Sequence, residues 1–330
     1  MSDEIHNPRN NPVPREDDKV TLKKKVGFVS GTSLIVGAMI GSGIFISPKG
    51  VLNGAGSVGF TLICWLLSGL IALGGALCMT ELGTIIPKNG AEYTYILVGI
   101  GEAPAFLSIW SLNLLLKPAG LAIIALTCSE YLLVLPFEDG CGEPPELNKK
   151  LLAAVILIVL AAINCYSVKL ATRIQVIFTV AKLLAVFMII IGGFVRLGQG
   201  YTDSLKSGFK GTTTNVGKIA LGIYSGLWSY DGWNNLNYAT GELKEPHKNL
   251  PRSIMLGIPL VIVCYVLMNI SYFTVMSPSK LLNSPAVAVT WAEAVIRPVK
   301  WLIPIFVALS TFGSANGIMF GTSRCVYYYF

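Results

Sequence analysis

Asp231 is a carboxylate inside the otherwise apolar and aromatic stretch GIYSGLWSYDGWNNLNY, where Gly226 and Gly232 stand on either side of it. A second stretch, GAMIGSGIFISP, carries no charge but contains Gly41-Ser42-Gly43. Both lie in runs that are otherwise long enough to cross a membrane. Glycine weakens a helix, and hydrocarbon offers a freed peptide group no partner, so such breaks belong where they build a site. A break at Gly41-Ser42-Gly43 exposes N–H groups at the start of the half-helix from Ile44 onward. With the positive end of the helix dipole, and with the Ser42 hydroxyl beside them, these donors suit a carboxylate. Carbonyls freed near Trp228, Ser229 and Asp231 suit an ammonium group, because the C-terminal end of a half-helix is electronegative. The two breaks together would serve both poles of a zwitterion. The plain alternative for the glycine-serine stretch is close helix packing through small residues.

Asp231 is expensive at membrane depth, at roughly 2.5–3.5 kcal/mol, unless it faces water or a cation. Its partner is therefore either a cationic substrate side chain or a lysine within a span. Trp228 either closes over the substrate, with a cation–π contact, or packs in the core. Lys182 stands in the middle of IFTVAKLLAVFMII, too deep to snorkel easily. Its ammonium suits the place that a coupling cation fills in sodium-driven folds with broken helices. Lys117, in LLLKPAG, precedes a proline expected to kink the third span.

These residues need membrane-spanning elements to hold them. Of 330 residues, 53% are hydrophobic and 13% charged, whereas soluble domains carry about 25% charged residues. The hydrophobic runs predict eight spans at about 28–52, 57–80, 103–135, 150–167, 175–195, 217–241, 253–276 and 300–325. The fold class is thus an all-α polytopic membrane protein. Residues 1–25 are polar and rich in Pro and Asn, and read as a disordered cytosolic N-terminus. Arg9, Arg15, Lys19, Lys23, Lys24 and Lys25 precede the first span and only Lys49 follows it, which places the N-terminus inside. Lys149, Lys150, Lys206 and Lys210 would then lie outside, against that trend. The basic residues are scattered among short loops, so the net charge of +7 is no nucleic-acid footprint.

The connectors are expected to alternate sides. Segments 81–102, 168–174 and 242–252 read as internal; 136–149, 196–216 and 277–299 read as external, the last with room for a surface helix. The first and sixth spans are the interrupted ones, which makes a weak internal repeat of the inverted kind. Residues 26–330 then form one transmembrane domain, with a first five-span repeat at about 28–195 and an incomplete second at about 217–330. On this reading the chain is truncated after about eight transmembrane helices.

Other chemistry finds little support. His6 and His247 lie in polar segments and cannot make a metal site between them. No phosphate-binding loop, nucleophile elbow or redox pair occurs, so neither an enzyme nor an ATP-driven pump is expected, and no cofactor. Six of the seven cysteines fall in or at the end of spans; Cys141 alone sits in an external loop and suits an intermolecular disulfide. Asn269-Ile270-Ser271 matches a glycosylation pattern but lies inside a span.

The segments GAMIGSGIFISPKGVL, TELGTIIPKNGAEYTY, LLLKPAG, VAKLLA, SGLWSYDGWNNLNYATGELKEPHKNLPRSI and STFGSANG, with the Cys141 loop, resemble the light-subunit family of heteromeric amino-acid transporters. That family lies in the amino acid–polyamine–organocation superfamily, and Trp228 followed by Tyr230-Asp231-Gly232-Trp233 resembles most its b(0,+)-type branch. The resemblance implies a LeuT-type five-plus-five inverted-repeat fold with twelve spans. It implies sodium-independent exchange of external cationic amino acids and cystine for internal neutral ones. Ile40, Gly41, Ser42, Gly43 and Ile44 would hold the substrate carboxylate. Trp228, Ser229 and Asp231 would hold the amino group, with Trp228 at the aromatic gate and Asn234 a polar neighbour. Lys182 matches the lysine that replaces a sodium site. Cys141 matches the cysteine bonded to a single-span glycoprotein heavy subunit, and the pair would reside in the plasma membrane. Gly241 stands where many members have a second Glu, before Glu242. Two other readings stay open: a neutral amino-acid exchanger in which Asp231 pairs with Lys117 or Lys182, and a non-transporting fragment that only binds the heavy subunit.

Overall fold

The computed structural model describes the backbone of residues 26–86, 90–137, 145–166, 168–238, 240 and 243–329, and their side chains except at 135–137, 168–175, 320, 321 and 323–329. The described residues are almost wholly helical. In chain order the helices are α1 (Phe28–Met39), α2 (Gly43–Ile46), α3 (Pro48–Ala55), α4 (Val58–Ile85), α5 (Ala91–Gly99), α6 (Glu102–Ser111) and α7 (Lys117–Phe137). There follow α8 (Glu146–Tyr166), α9 (Val168–Gly198), α10 (Asp203–Lys206), α11 (Val216–Ser229), α12 (Asn235–Tyr238), α13 (Pro246–Val275), α14 (Pro278–Asn283), α15 (Val287–Val295) and α16 (Leu302–Tyr329).

Seven stretches among the described residues are long and apolar enough to span a bilayer: Phe28–Ile46, Val58–Ile85, Glu102–Val134, Glu146–Tyr166, Val176–Gly198, Pro246–Val275 and Leu302–Met319. The expected span at 217–241 does not qualify as one helix, because α11 ends at Ser229 after 14 residues. The chain turns through Asp231–Asn234, with Gly232 at φ +98°, a left-handed conformation that favours glycine. Helix resumes as α12. The break lies later than Gly226, which is still helical.

The first span is interrupted as expected. Helix α1 stops at Met39; Ile40, Gly41 and Ser42 are non-helical; α2 starts at Gly43. Pro48 sits at the first position of α3, where its missing N–H does no harm. Gly56, at φ +78°, ends that helix.

The two interrupted elements run antiparallel, as hydrogen bonds at both ends show. At one end Val26 bridges Leu243, and Lys244 N donates to Val26 O at 2.9 Å. At the other, Thr213 N donates to Ala55 O at 3.1 Å and Gly59 N to Gly208 O at 2.8 Å. The start of the first element thus meets the end of the second, and the reverse. Two broken helices of opposite sense are the signature of the LeuT-type inverted-repeat fold. Between them α3 and α11 approach through glycine: a Cβ on Gly54 would lie 2.6 Å from Gly222 N and 2.6 Å from Lys218 O. Helix α13 packs against α1, α4 and α9, and α16 against α7, α8 and α9.

Four connectors differ from expectation. Residues 168–174 are the first turns of α9, not a loop, since the sequence there holds no helix breaker. The internal segment 81–102 is largely helical: α4 runs on to Ile85 and α5 follows. In the basic segment 242–252, α13 begins already at Pro246, at the helix position where proline is tolerated. Segment 277–299 folds into α14 and α15, and α15 buries Val287, Ala288, Val289, Trp291 and Ala292, so it is a core helix and not a surface one. The kink expected at Pro118 is met by a π-helical turn, Leu112–Leu116, directly before Lys117. A proline leaves a carbonyl one turn earlier without its donor, and a π-turn is one way to absorb that.

Candidate functional site

A helix end leaves its last carbonyls without intrahelical donors. At the end of α1 those carbonyls find partners in the next residue of the chain and in two other helices. Val36 O accepts from Ile40 N at 2.9 Å. Gly37 O accepts from Lys182 Nζ of α9 in a short hydrogen bond. Met39 O accepts from the Tyr265 hydroxyl of α13 at 2.7 Å. Lys182 is only 3% exposed, so its charge is spent on this helix terminus, where a cation is favoured.

The end of α11 is arranged alike. Leu227 O accepts from Tyr230 N at 3.0 Å, and Trp228 O from Asp231 N at 3.3 Å. Ser229 O lies 2.9 Å from the same Tyr265 hydroxyl that reaches Met39 O. Two negative half-helix ends therefore converge on one phenol. The next half-helix starts beside them: a Cβ on Gly43 would lie 2.5 Å from Ser229 Cα. Only glycine permits that approach, and it brings the first amides of α2 against the last turn of α11. The Ser229 hydroxyl there is buried without a hydrogen-bond partner in the structure.

Helix α16 covers the first break. Ser310 Oγ is 3.5 Å from Gly41 O, and a Cβ on Gly41 would lie 3.0 Å from Ser314 Oγ. Trp228 is half-buried and reaches α7, where a Cβ on Gly120 would lie 3.5 Å from the indole. Trp228 thus carries the side-chain approach of α11 to α7.

The structure brings Ser42, Gly43 and Ser229 together and buries Ser42 at 4% exposure. Ile40 and Ile44 are buried in the core, so only their backbone faces the break. Asp231 is exposed at the turn after α11 and makes no ion pair among the described residues. Asn234 is turned elsewhere: its Nδ2 donates to Glu92 Oε1 of α5 in a short hydrogen bond. Nearby, Asn237 Nδ2 donates to Met79 O at 2.7 Å and lies 3.4 Å from the Tyr95 hydroxyl. Burial pushes the Tyr95 phenol above its ordinary value, so it stays neutral in this cluster. Cys141 lies outside the described residues, as do the N-terminal lysines and arginines before Val26.

Sequence reasoning did not assign Tyr265, Ser310, Ser314 or Glu92. A signal existed for the first three. A tyrosine inside the apolar run VIVCYVLMN must find a partner for its hydroxyl, and Ser310 and Ser314 are spaced by four on one face of a span. Which carbonyl or break they meet depends on helices far apart in sequence.

The amino acid permease family matches residues 26–329, nearly the whole described chain. The chain belongs to the amino acid permease family. This permease-family chain is 50% identical over 322 residues to the b(0,+)-type amino acid transporter 1 of Oryctolagus cuniculus, covering 95% of this chain and 66% of that protein. It is 48% identical to the Homo sapiens protein of the same name, with the same coverage. It is 49% identical over 308 residues to the large neutral amino acids transporter small subunit 2 of Mus musculus, covering 92% of this chain and 58% of that protein. The permease chain thus spans about two thirds or less of the length of these relatives. Identities of 50% and 49% do not separate the two kinds of relative.

Proposed function

We propose that the protein is a sodium-independent amino-acid exchanger working by alternating access, with the element α1–α3 and the element α11–α12 as its moving pair. The observation that carries this is the convergence of Met39 O, Ser229 O and the start of α2 at Gly43, where opposite ends of broken helices lie side by side. The carbonyl ends take the substrate ammonium. The amides of the break from Ile40 to Ile44, with the Ser42 hydroxyl, take its carboxylate. Trp228 is the gate over the bound substrate. Lys182 holds the α1 terminus as a built-in cation, so no sodium ion is needed there. The conformational change would be driven by substrate occupancy, which favours exchange over leak.

Asp231 sets the preference for cationic substrates. It is exposed and has no lysine partner among the described residues, and Lys182 is already bonded to Gly37 O. A carboxylate in that place is stable if the turn faces a water-filled path, and it then meets the side-chain ammonium of lysine or ornithine. This supports exchange of cationic amino acids and cystine against neutral ones. The nearly equal identity to a transporter named for large neutral amino acids favours a second reading, in which the substrates are neutral and Asp231 plays no part in choosing them. Competition by leucine and by lysine for exchange in proteoliposomes separates the two. Competition by leucine alone defeats the cationic reading; no exchange at all defeats both.

The protein resides in the plasma membrane with its N-terminus in the cytosol, linked through Cys141 to a single-span glycoprotein heavy subunit. The supporting observations are the run of basic residues before Phe28 and the single cysteine in the 136–149 loop. A higher band on a non-reducing gel that Cys141→Ser abolishes would test the linkage. Loss of exchange with that band intact would favour a binding-only role.

A further inference from the structure

Lys117 has no part in the proposed function, yet it stands near the middle of the 33-residue span Glu102–Val134. A cation at such depth is expensive unless it meets an anion or water. The nearer end of the span is about 20 Å of helix away, beyond the reach of a lysine stem. Lys117 is half-buried and makes no ion pair among the described residues, with Asp231 or any other acid. It lines a cavity of about 300 Å³ between α7 and α16, with Pro118 and Leu121 on one side and Ile318, Met319 and Thr322 on the other. The Thr322 hydroxyl is buried without a hydrogen-bond partner in the structure. A cation and an unsatisfied hydroxyl in an otherwise apolar cavity suit a small anion.

The cavity lies one to two helical turns from the proposed substrate site. On α16, Ser314 stands beside Gly41 of the first break, and Ile318 and Thr322 follow it at intervals of four on the same face. On α7, Gly120 lies against the Trp228 indole, and Lys117 precedes it by one turn. With the N-terminus in the cytosol, α7 runs outward and α16 inward, so both displacements point to the cytosolic side. We infer that Lys117 and Thr322 form an inner subsite for the carboxylate of an amino acid that enters from or leaves to the cytosol. A neutral amino acid meets only attraction between its carboxylate and the ammonium. Lysine or ornithine meets the same attraction but brings a second ammonium toward a like charge. Asp231 at the break favours cationic side chains; Lys117 on the cytosolic side of the break disfavours them. The pair would make the external substrate cationic and the internal one neutral, a direction that carbonyls and amides around one central site do not set. This deepens the proposed function and rests on it.

In cells that express the full chain every carrier faces the same way, so its two sides can be measured separately. Lys117→Met keeps the length of the side chain and removes the charge. Leucine or lysine is introduced inside, and efflux is followed against a fixed external amino acid. The internal KM for leucine should rise about tenfold, as for the loss of one charge-assisted hydrogen bond. The internal KM for lysine, which loses attraction and repulsion together, should change much less, so the internal preference for leucine collapses. External KM values for both should hold, and Lys117→Arg should restore the internal preference. Should Lys117→Met fail to reach the surface, Thr322→Val keeps the shape of its side chain and removes the hydroxyl; the internal KM for leucine should again rise, with the external KM unchanged. An internal leucine KM that neither change moves, or equal losses at both faces, overturns the inference while exchange by the unaltered protein still stands. In proteoliposomes of phosphatidylcholine alone, Lys117→Met should still differ from the unaltered protein in leucine exchange. If only acidic lipid reveals the difference, the cavity belongs to a lipid headgroup and the inference falls. If the unaltered protein exchanges neither amino acid, the inference and the transport reading fall together.

Discussion

Asp231→Asn removes a negative charge from the turn after α11 and alters almost nothing in shape. A hydrogen bond to a charged group contributes about 1.5–3 kcal/mol, so uptake of lysine, arginine and ornithine should weaken roughly ten- to a hundred-fold in KM. Leucine uptake should hold. An equal loss for leucine and lysine would show that Asp231 reads no charge. Lys182→Met acts differently, because Lys182 is hydrogen-bonded to the protein's own Gly37 O. It leaves the half-buried Gly37 O without that donor and removes the cation from the α1 terminus. The expected effect is a loss of about 1–3 kcal/mol in stability, seen as a lower melting temperature in detergent, with uptake of every substrate reduced. A melting temperature equal to that of the unaltered protein would defeat this account.

Between elements, the decisive contacts are made by glycine. Gly43 lies against Ser229, and Gly54 against Gly222, so α2 and α3 approach α11 closely along their length. Gly54→Ala places a methyl group against backbone atoms of Gly222 and Lys218 that cannot swing aside. Overpacking of this kind costs about 1–3 kcal/mol, and here it should pry the two interrupted elements apart. Gly74→Ala is the matched control, since a Cβ there meets nothing within 4 Å. Thermal melts of the two variants should differ by several degrees; identical melts would mean that α3 and α11 do not need their close approach.

The molecule as a whole is an inverted pair of broken helices held by α4, α9, α13 and α16. The bonds at its two ends, Val26 with Leu243 and Lys244, and Ala55 with Thr213, close the antiparallel pair on both sides. An alternating-access cycle requires these ends to loosen in turn. Hydrogen exchange at Lys244 N and at Thr213 N should therefore respond to substrate in opposite directions. Changes of the same sign at both ends would argue against rocking of this pair.

Much of this was legible in the residues themselves. Hydrocarbon-length apolar runs are local, and a backbone that must satisfy its own hydrogen bonds in a bilayer has to be helical there. Glycines within such runs marked the first break correctly and the second to within one turn, because glycine's effect on a helix is also local. The depth of Lys182 was enough to expect an internal partner. Other features depended on distant segments meeting. The carbonyl that Lys182 finds, the Tyr265 hydroxyl between Met39 and Ser229, the turning of Asn234 toward Glu92 and the burial of α15 are all set by packing between helices many residues apart. Hydropathy and glycine spacing constrain each helix along its own axis. They say nothing of its rotation about that axis, and rotation decides which side chain reaches which broken end.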